Sequence, residues 1–170
     1  MKFMATRTVR FAECDPAGIV FFPQYLVMLN SFVEQWFDEG LRIPYAGLIG
    51  ERRIGLPTVR LEVDFTAISR HGDRIMLAVQ IEKLGRSSLT LQVACRAGEV
   101  AAVHTGEHTA EHTGEHTGKD AHGELRFRAR QVLVCTSLHT HRPQAMPDDV
   151  RSALLPYLET PLNTPPEITP

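Results

Sequence analysis

In the stretch ECDPAGIVFFPQY, residues 13–25, an acid stands beside proline and glycine and the chain then enters an apolar segment that opens a helix. The first-turn amides of that helix, near Phe22, Gln24 and Tyr25, have no intrahelical acceptors. They carry partial positive charge and can polarise a carbonyl oxygen. Asp15, seven residues ahead of Phe22, would place a carboxylate beside such donors, and an acid next to an oxyanion site is an arrangement for hydrolysis. An aspartate before Pro-Ala-Gly is equally a turn-former, and on the residues alone both readings stand. No Gly-x-Ser-x-Gly, phosphate loop or dinucleotide fingerprint competes with them, and His71, His122, His139 and His141 fall in loop-like sequence.

The elements that must hold this acid follow from periodicity. PQYLVMLNSFVEQWFDEG, from Pro23 to Gly40, reads as one helix, with proline suited to its start and glycine to the position after its end. Tyr25, Leu29, Phe32 and Trp36 form one apolar stripe and Leu26, Val33 and Phe37 another, the mark of a helix buried on most of its circumference. After Gly55 the period becomes two. Val59, Leu61, Val63 and Phe65 share a face, as do Ile75, Leu77, Val79 and Ile81, and then Leu89, Leu91, Val93 and Cys95. The turn-like joints HGD and LGRSS predict an antiparallel meander. RFRARQVLVC, ending near Cys135, adds a strand, and TRTVRF near the start adds another. The expected fold is α+β: a sheet of about five strands whose apolar face needs a cover, with the long helix as the only segment large enough to provide it.

The chain of 170 residues fits one domain, taken as residues 1–159, with a flexible Pro/Thr-rich tail at 160–170. The 18 basic and 20 acidic residues nearly cancel, which leaves no global field toward nucleic acid or an anionic membrane, so any polyanionic ligand must meet local arginines. No apolar run approaches the roughly 20 residues of a membrane span, and the N-terminus lacks a secretory pattern; a cytoplasmic protein is expected. Cys14, Cys95 and Cys135 are odd in number and widely spaced, hence read as reduced thiols. Within 104–124 a four-residue unit repeats His104, His108, His112 and His116. Its threonine and glycine disfavour the helix that would align the rings on a metal, so the segment is expected to be a hairpin insertion, with no metal site.

VRFAECDPAGIVFFPQY resembles the active-site signature of the 4-hydroxybenzoyl-CoA thioesterase family of hotdog-fold proteins. The likeness continues through RRIGLPTVRLEVDFTAISRHGDRI and IEKLGRSS. The resemblance implies an acyl-CoA thioesterase of hotdog fold, needing no cofactor, in which Asp15 attacks the thioester carbonyl or activates water, with the Phe22 amide as oxyanion donor. Cys14 is the rival nucleophile. Glu34, in mid-helix, is a second rival, since some hotdog thioesterases use a helical carboxylate; with Asp15 in its motif, Glu34 is read as structural. Tyr25 and Asn30 are implied as acyl contacts. At the position of Asn30, the enzyme for 4-hydroxybenzoyl groups carries an aspartate that accepts from the ring hydroxyl.

Coenzyme A brings phosphates, and the resemblance points to Arg86 in the LGRSS turn, with Arg126, Arg128 and Arg130 as a second set or a solvated strand face. It also implies a homo-oligomer, a dimer or tetramer whose sites are shared between subunits and whose assembly covers an edge strand. Two other readings remain: a short-chain aliphatic acyl-CoA thioesterase, and a non-catalytic module that holds acyl-CoA or an acyl carrier. A hydratase of this fold would carry histidine on the helix, and this helix has none.

Overall fold

The computed structural model describes residues 1–98 and 123–159. The histidine repeat and the Pro/Thr-rich tail lie outside the described residues. Five strands form one antiparallel sheet: β1 (Phe3–Thr8), β3 (Thr58–Phe65), β4 (Arg74–Leu84), β5 (Ser88–Ala97) and β6 (Leu125–Val134), in the order β1-β4-β5-β6-β3. Helix α1 (Phe22–Gln35) lies across the inner face. Tyr25 at its start packs on Phe65 of β3 and Phe127 of β6, with ring centroids 5.5 and 5.2 Å away, while Phe32 further along stacks on Phe3 of β1 at 5.7 Å. The helix therefore crosses from one sheet edge to the other, the α+β hotdog layout that the sequence predicts.

The inner face follows the period of two. Ile75, Leu77, Val79 and Ile81 of β4 and Leu89, Leu91, Val93 and Cys95 of β5 are all buried. Burial of large apolar side chains of this kind contributes roughly 1.5–3 kcal/mol each. The helix stripes are buried at Tyr25, Leu29, Phe32 and Trp36 and at Val33 and Phe37, while Leu26, expected with the second stripe, is only half-buried.

Four details depart from the sequence reading. The first strand is Phe3–Thr8 rather than residues 6–11, because Val9 turns away to bond Asp73 O (2.9 Å) and Phe11–Glu13 winds into a 3₁₀ turn. The helix runs on past Gln35 as expected, but its last turn widens into a π-turn, Trp36–Gly40, closed by Leu41 N donating to Trp36 O at 2.9 Å. Gly40 belongs to that turn, where a Cβ would stand 2.6 Å from Trp36 Cδ1.

The meander is also incomplete. β4, β5 and β6 are consecutive neighbours, yet β3 pairs with β6 at the far edge and β1 pairs with β4. The segment from Thr66 to Asp73 is thus a crossover rather than a hairpin, and it passes beside the start of α1. As an edge strand with a bulge between Thr58 and Arg60, β3 leaves Val59 (60 %) and Phe65 (45 %) exposed instead of burying a full apolar face.

Four elements have no counterpart in the sequence reading. Helix α2 (Tyr45–Gly50) follows the π-turn, β2 (Ile54–Gly55) pairs with β7 (Thr136–Ser137), and α3 (Asp148–Leu154) ends the fold. The C-terminal segment closes the far end of α1. Tyr157 packs edge-on against Trp36 (5.3 Å) and donates to Gly40 O (3.0 Å). Beyond β1, Leu158 takes up the vacant edge of β4 in parallel beside Ile81, with Glu159 N bonded to Ile81 O at 2.7 Å.

Candidate active site

Asp15 sits in a tight loop closed on itself. Its N–H donates to Ile19 O (2.9 Å), its carbonyl accepts from Gly18 N (2.9 Å), and its Oδ1 accepts from Ala17 N (2.8 Å). Gly18 has φ +75°, a conformation that side chains disfavour. Asp15 is therefore the turn-former that proline and glycine suggest, yet the turn consumes only one carboxylate oxygen. Oδ2 has no hydrogen bond among the described residues.

Two supports hold the loop. Phe21 N bonds Glu13 O (3.1 Å), which brings the helix start back beside Asp15, and Glu13 is itself held by the Arg7 guanidinium and by Arg10 N (2.7 Å). From the other side the crossover supplies Ser69 O to Val20 N (2.9 Å) and a bridge between Ile19 and Arg70. His71, loop-like in sequence, meets this loop by its own N–H to Gly18 O (3.4 Å) and an edge contact with Phe11 at 5.9 Å.

At the helix start the donors sort themselves. Pro23 has no N–H, and the Gln24 amide, expected to be available, is occupied by Phe21 O at 2.8 Å. The Phe22 amide has no acceptor among the described residues, which leaves it as a donor for a carbonyl oxygen. Beside it Phe21 and Phe22, with ring centroids 5.4 Å apart, are 49 and 58 % exposed, an aromatic pair of the sort that marks a ligand or partner surface.

Tyr25 lies on the core side of this turn. It is 5 % exposed, and its hydroxyl and that of fully buried Ser69 both lack a well-formed hydrogen bond. Burial pushes the Tyr25 phenol up, against the opposing pull of nearby Ser69. Burial also pushes the Cys95 thiol up to about 12, so it stays a neutral core group.

The uncovered part of α1 is one stripe: Val27 (59 % exposed), Asn30, Ser31 and the half-buried Glu34, at spacings of three, four and seven. It starts one turn from the Phe22 amide. Asn30 Nδ2 donates to Glu34 Oε1 at 2.8 Å. Glu34 also faces Tyr45, whose phenol is raised first by burial and then by the Glu34 charge.

The arginines divide. Arg126 is tied to Glu124 (2.7 Å) and Ile68 O (2.6 Å), and Arg130 grips Glu82 with two bonds of 2.8 Å, holding that carboxyl below its usual range. Arg128 is exposed without a partner among the described residues, on the outer face opposite Asp64. It lines a groove of about 560 Å³ floored by Ala78 and Ala94, on the opposite side of the sheet from α1. Arg86 is exposed in the bend between β4 and β5, whose backbone is braced by Met146 N and Arg151 Nη1. The Asp15 loop adjoins the Asp73 end of β4. Arg86 follows the other end, so the length of the strand (11 residues, roughly 30 Å) separates them within one chain.

Among the described residues no three His, Cys, Asp or Glu side chains gather as a metal site, and no helix is long and apolar enough to cross a membrane.

Comparison with known proteins places this geometry in a family. A 1,4-dihydroxy-2-naphthoyl-CoA hydrolase from Synechocystis sp. is 32% identical over 79 residues, 46% of this chain and 56% of the relative. A 4-hydroxybenzoyl-CoA thioesterase from Pseudomonas sp. is 31% identical over 81 residues, 47% of this chain and 57% of that protein. The chain thus spans a little over half the length of these curated relatives. The crystal structure of a Synechocystis 1,4-dihydroxy-2-naphthoyl-CoA thioesterase superposes with a TM-score of 0.71 at 22% identity, covering 91% of this chain and 96% of that one, a likeness of fold. The profile of the thioesterase-like superfamily matches residues 9–154, which takes in the Asp15 loop, the helix and every strand of the sheet but β1, and the chain belongs to that superfamily.

Proposed function

We propose that this protein hydrolyses aromatic acyl-CoA thioesters to the free acid and coenzyme A. The observation that carries the reading is the pairing of a carboxylate oxygen left uncommitted by its own turn with a helix-start amide left without an acceptor. The thioester oxygen accepts from Phe22 N–H, which stabilises the charge that develops when the carbonyl becomes tetrahedral. Asp15 Oδ2 either attacks the carbonyl carbon, giving a mixed anhydride that water then cleaves, or takes a proton from the attacking water. Either route ends with the carboxylic acid and the thiol of coenzyme A.

The aromatic preference rests on the exposed helix stripe. Phe22 and Asn30 are eight residues apart, a rise of roughly 12 Å. Hydrogen bonds of about 2.9 Å at each end leave roughly 6 Å for the acyl body, the span of one ring with its two exocyclic bonds. Val27 provides an apolar floor between them. The relatives act, by name, on naphthoyl and hydroxybenzoyl thioesters, both aromatic, and the hydroxybenzoyl group is the one of single-ring length.

Arg86 supports a site shared by two copies. It stands at the far end of the sheet from its own Asp15, so its guanidinium serves the nucleotide phosphates of a thioester held by a second copy. The exposed edge β3, with Val59 and Phe65 uncovered, is the surface such an assembly would close. Arg128 is assigned as a further phosphate contact because its neighbours Arg126 and Arg130 are already engaged.

The test is thiol release from a panel of acyl-CoAs. Benzoyl-CoA and its 4-hydroxy relative are expected to be hydrolysed at efficiencies within roughly tenfold of each other, because a neutral amide accepts more weakly than a carboxylate, by about 1 kcal/mol. Preference for short aliphatic thioesters over every aromatic one would leave only the thioesterase part of the proposal. Binding of acyl-CoA without any hydrolysis would favour the non-catalytic module.

A further inference from the structure

The helix stripe holds one side-chain pair whose geometry does more than brace a surface. Asn30 is an amide with two faces, a donor NH₂ and an acceptor oxygen. Glu34, one turn on, is a carboxylate that can only accept. The 2.8 Å bond therefore runs in one sense, from Asn30 Nδ2 to Glu34 Oε1. A reversed amide would set oxygen against oxygen. With its nitrogen drawn toward Glu34, the amide keeps its oxygen for whatever lies along the stripe toward Val27 and Phe22.

Resting on the aromatic thioesterase reading above, we propose that Glu34 is a positioning residue that fixes the sense of the Asn30 amide and so makes the site select acyl groups whose far end donates a hydrogen bond. A ring hydroxyl or ring amine meets the presented oxygen. A methoxy group, which can only accept, meets no donor. The isolated pair adds little to helix stability, as is usual for side chains four apart. Its effect is on selection, because a bound ring excludes the water that would otherwise satisfy either orientation.

The experiment compares kcat/KM for 4-aminobenzoyl-CoA and 4-methoxybenzoyl-CoA in the wild type, Glu34→Gln, Glu34→Ala and Glu34→Lys, with the helical circular dichroism of each variant recorded. The wild type is expected to favour the amino substrate. Glu34→Gln, which can still accept through its oxygen, keeps that ratio within about threefold. Glu34→Lys donates to the Asn30 oxygen, turns the amide round, and lowers the ratio at least fivefold; Glu34→Ala, with the amide free to rotate, falls between. A ratio unmoved in folded Glu34→Lys and Glu34→Ala overturns the proposal while leaving the aromatic reading intact. A Glu34→Gln that behaves like the lysine variant also overturns it, since acceptor character would then not be what matters. If the wild type hydrolyses no aromatic thioester, the aromatic reading and this inference fall together.

Discussion

The two ends of α1 are built to opposite ends. At its C-terminus Trp36 and Phe37 are fully buried, the π-turn closes over Gly40, Tyr157 donates to that glycine, and the Arg52–Asp149 pair fastens α3 to the segment after α2 with bonds of 2.7 and 2.8 Å. At its N-terminus Phe21 and Phe22 stand in solvent, the buried Tyr25 and Ser69 hydroxyls lack a well-formed hydrogen bond, and one amide and one carboxylate oxygen are uncommitted among the described residues. Large apolar side chains and long-range hydrogen bonds concentrate at the C-terminal end, whereas the N-terminal end keeps an amide and a carboxylate oxygen available for a ligand.

The contrast is broken most directly at Asp15. Asp15→Asn keeps an oxygen for Ala17 N and removes the charge, so turnover is expected to fall roughly 10²–10⁴-fold with the melting temperature unchanged. Residual activity within tenfold of the wild type would remove Asp15 from the mechanism. The opposite pattern is expected at Trp36, where truncation to alanine should cost about 3–5 kcal/mol in urea unfolding while activity per folded molecule persists. If Trp36→Ala instead lowers kcat at unchanged stability, the division between the two ends is wrong.

Arg86 sharpens the comparison, because it lies at the stable end yet is assigned to a site. Arg86→Ala should raise KM for the thioester about tenfold with little change in kcat. At substrate well below KM, mixing it with Asp15→Asn should restore activity above either variant alone, since in a shared-site dimer each mixed pair would hold one site with both residues intact. No recovery on mixing would place Arg86 outside a shared site.

Under the N-terminal end, near Tyr25, lies Cys95, whose thiol is raised by burial from 9.0 to about 12. Its folded pKa lies above its unfolded one, so the stability it contributes is complete below pH 9 and drains away as pH rises from about 9 toward 12. The alkaline slope of unfolding free energy should be shallower in Cys95→Ala, by at most about 1.4 kcal/mol per pH unit. Identical slopes would mean that the thiol is not shielded. The smallest effect is expected at Cys14, whose thiol makes one hydrogen bond among the described residues, to Arg10 O at 3.6 Å. Cys14→Ser should stay within about twofold in kcat/KM, and a large loss would transfer the nucleophile to the thiol.

The sequence by itself determined the elements whose signal is local. The period of two located β3, β4 and β5, the apolar stripes located α1, and the Asp-Pro-Ala-Gly turn located the candidate carboxylate, because each depends on residues within a few positions of one another. Which strands pair was decided by tertiary structure. The joint HGD reads as a hairpin in sequence, yet packing α1 against the inner face sends the chain across the sheet end, where Ser69 O anchors Val20. The donor set was decided there as well: nothing in FFPQY says that Gln24 will spend its amide on Phe21 while Phe22 keeps its own. The π-turn, α2 and α3 escaped reading because they are short and are held by distant partners such as Gly40 and Tyr157, 117 residues apart. Periodicity reports which face of an element is apolar, and only the packed chain selects what covers that face.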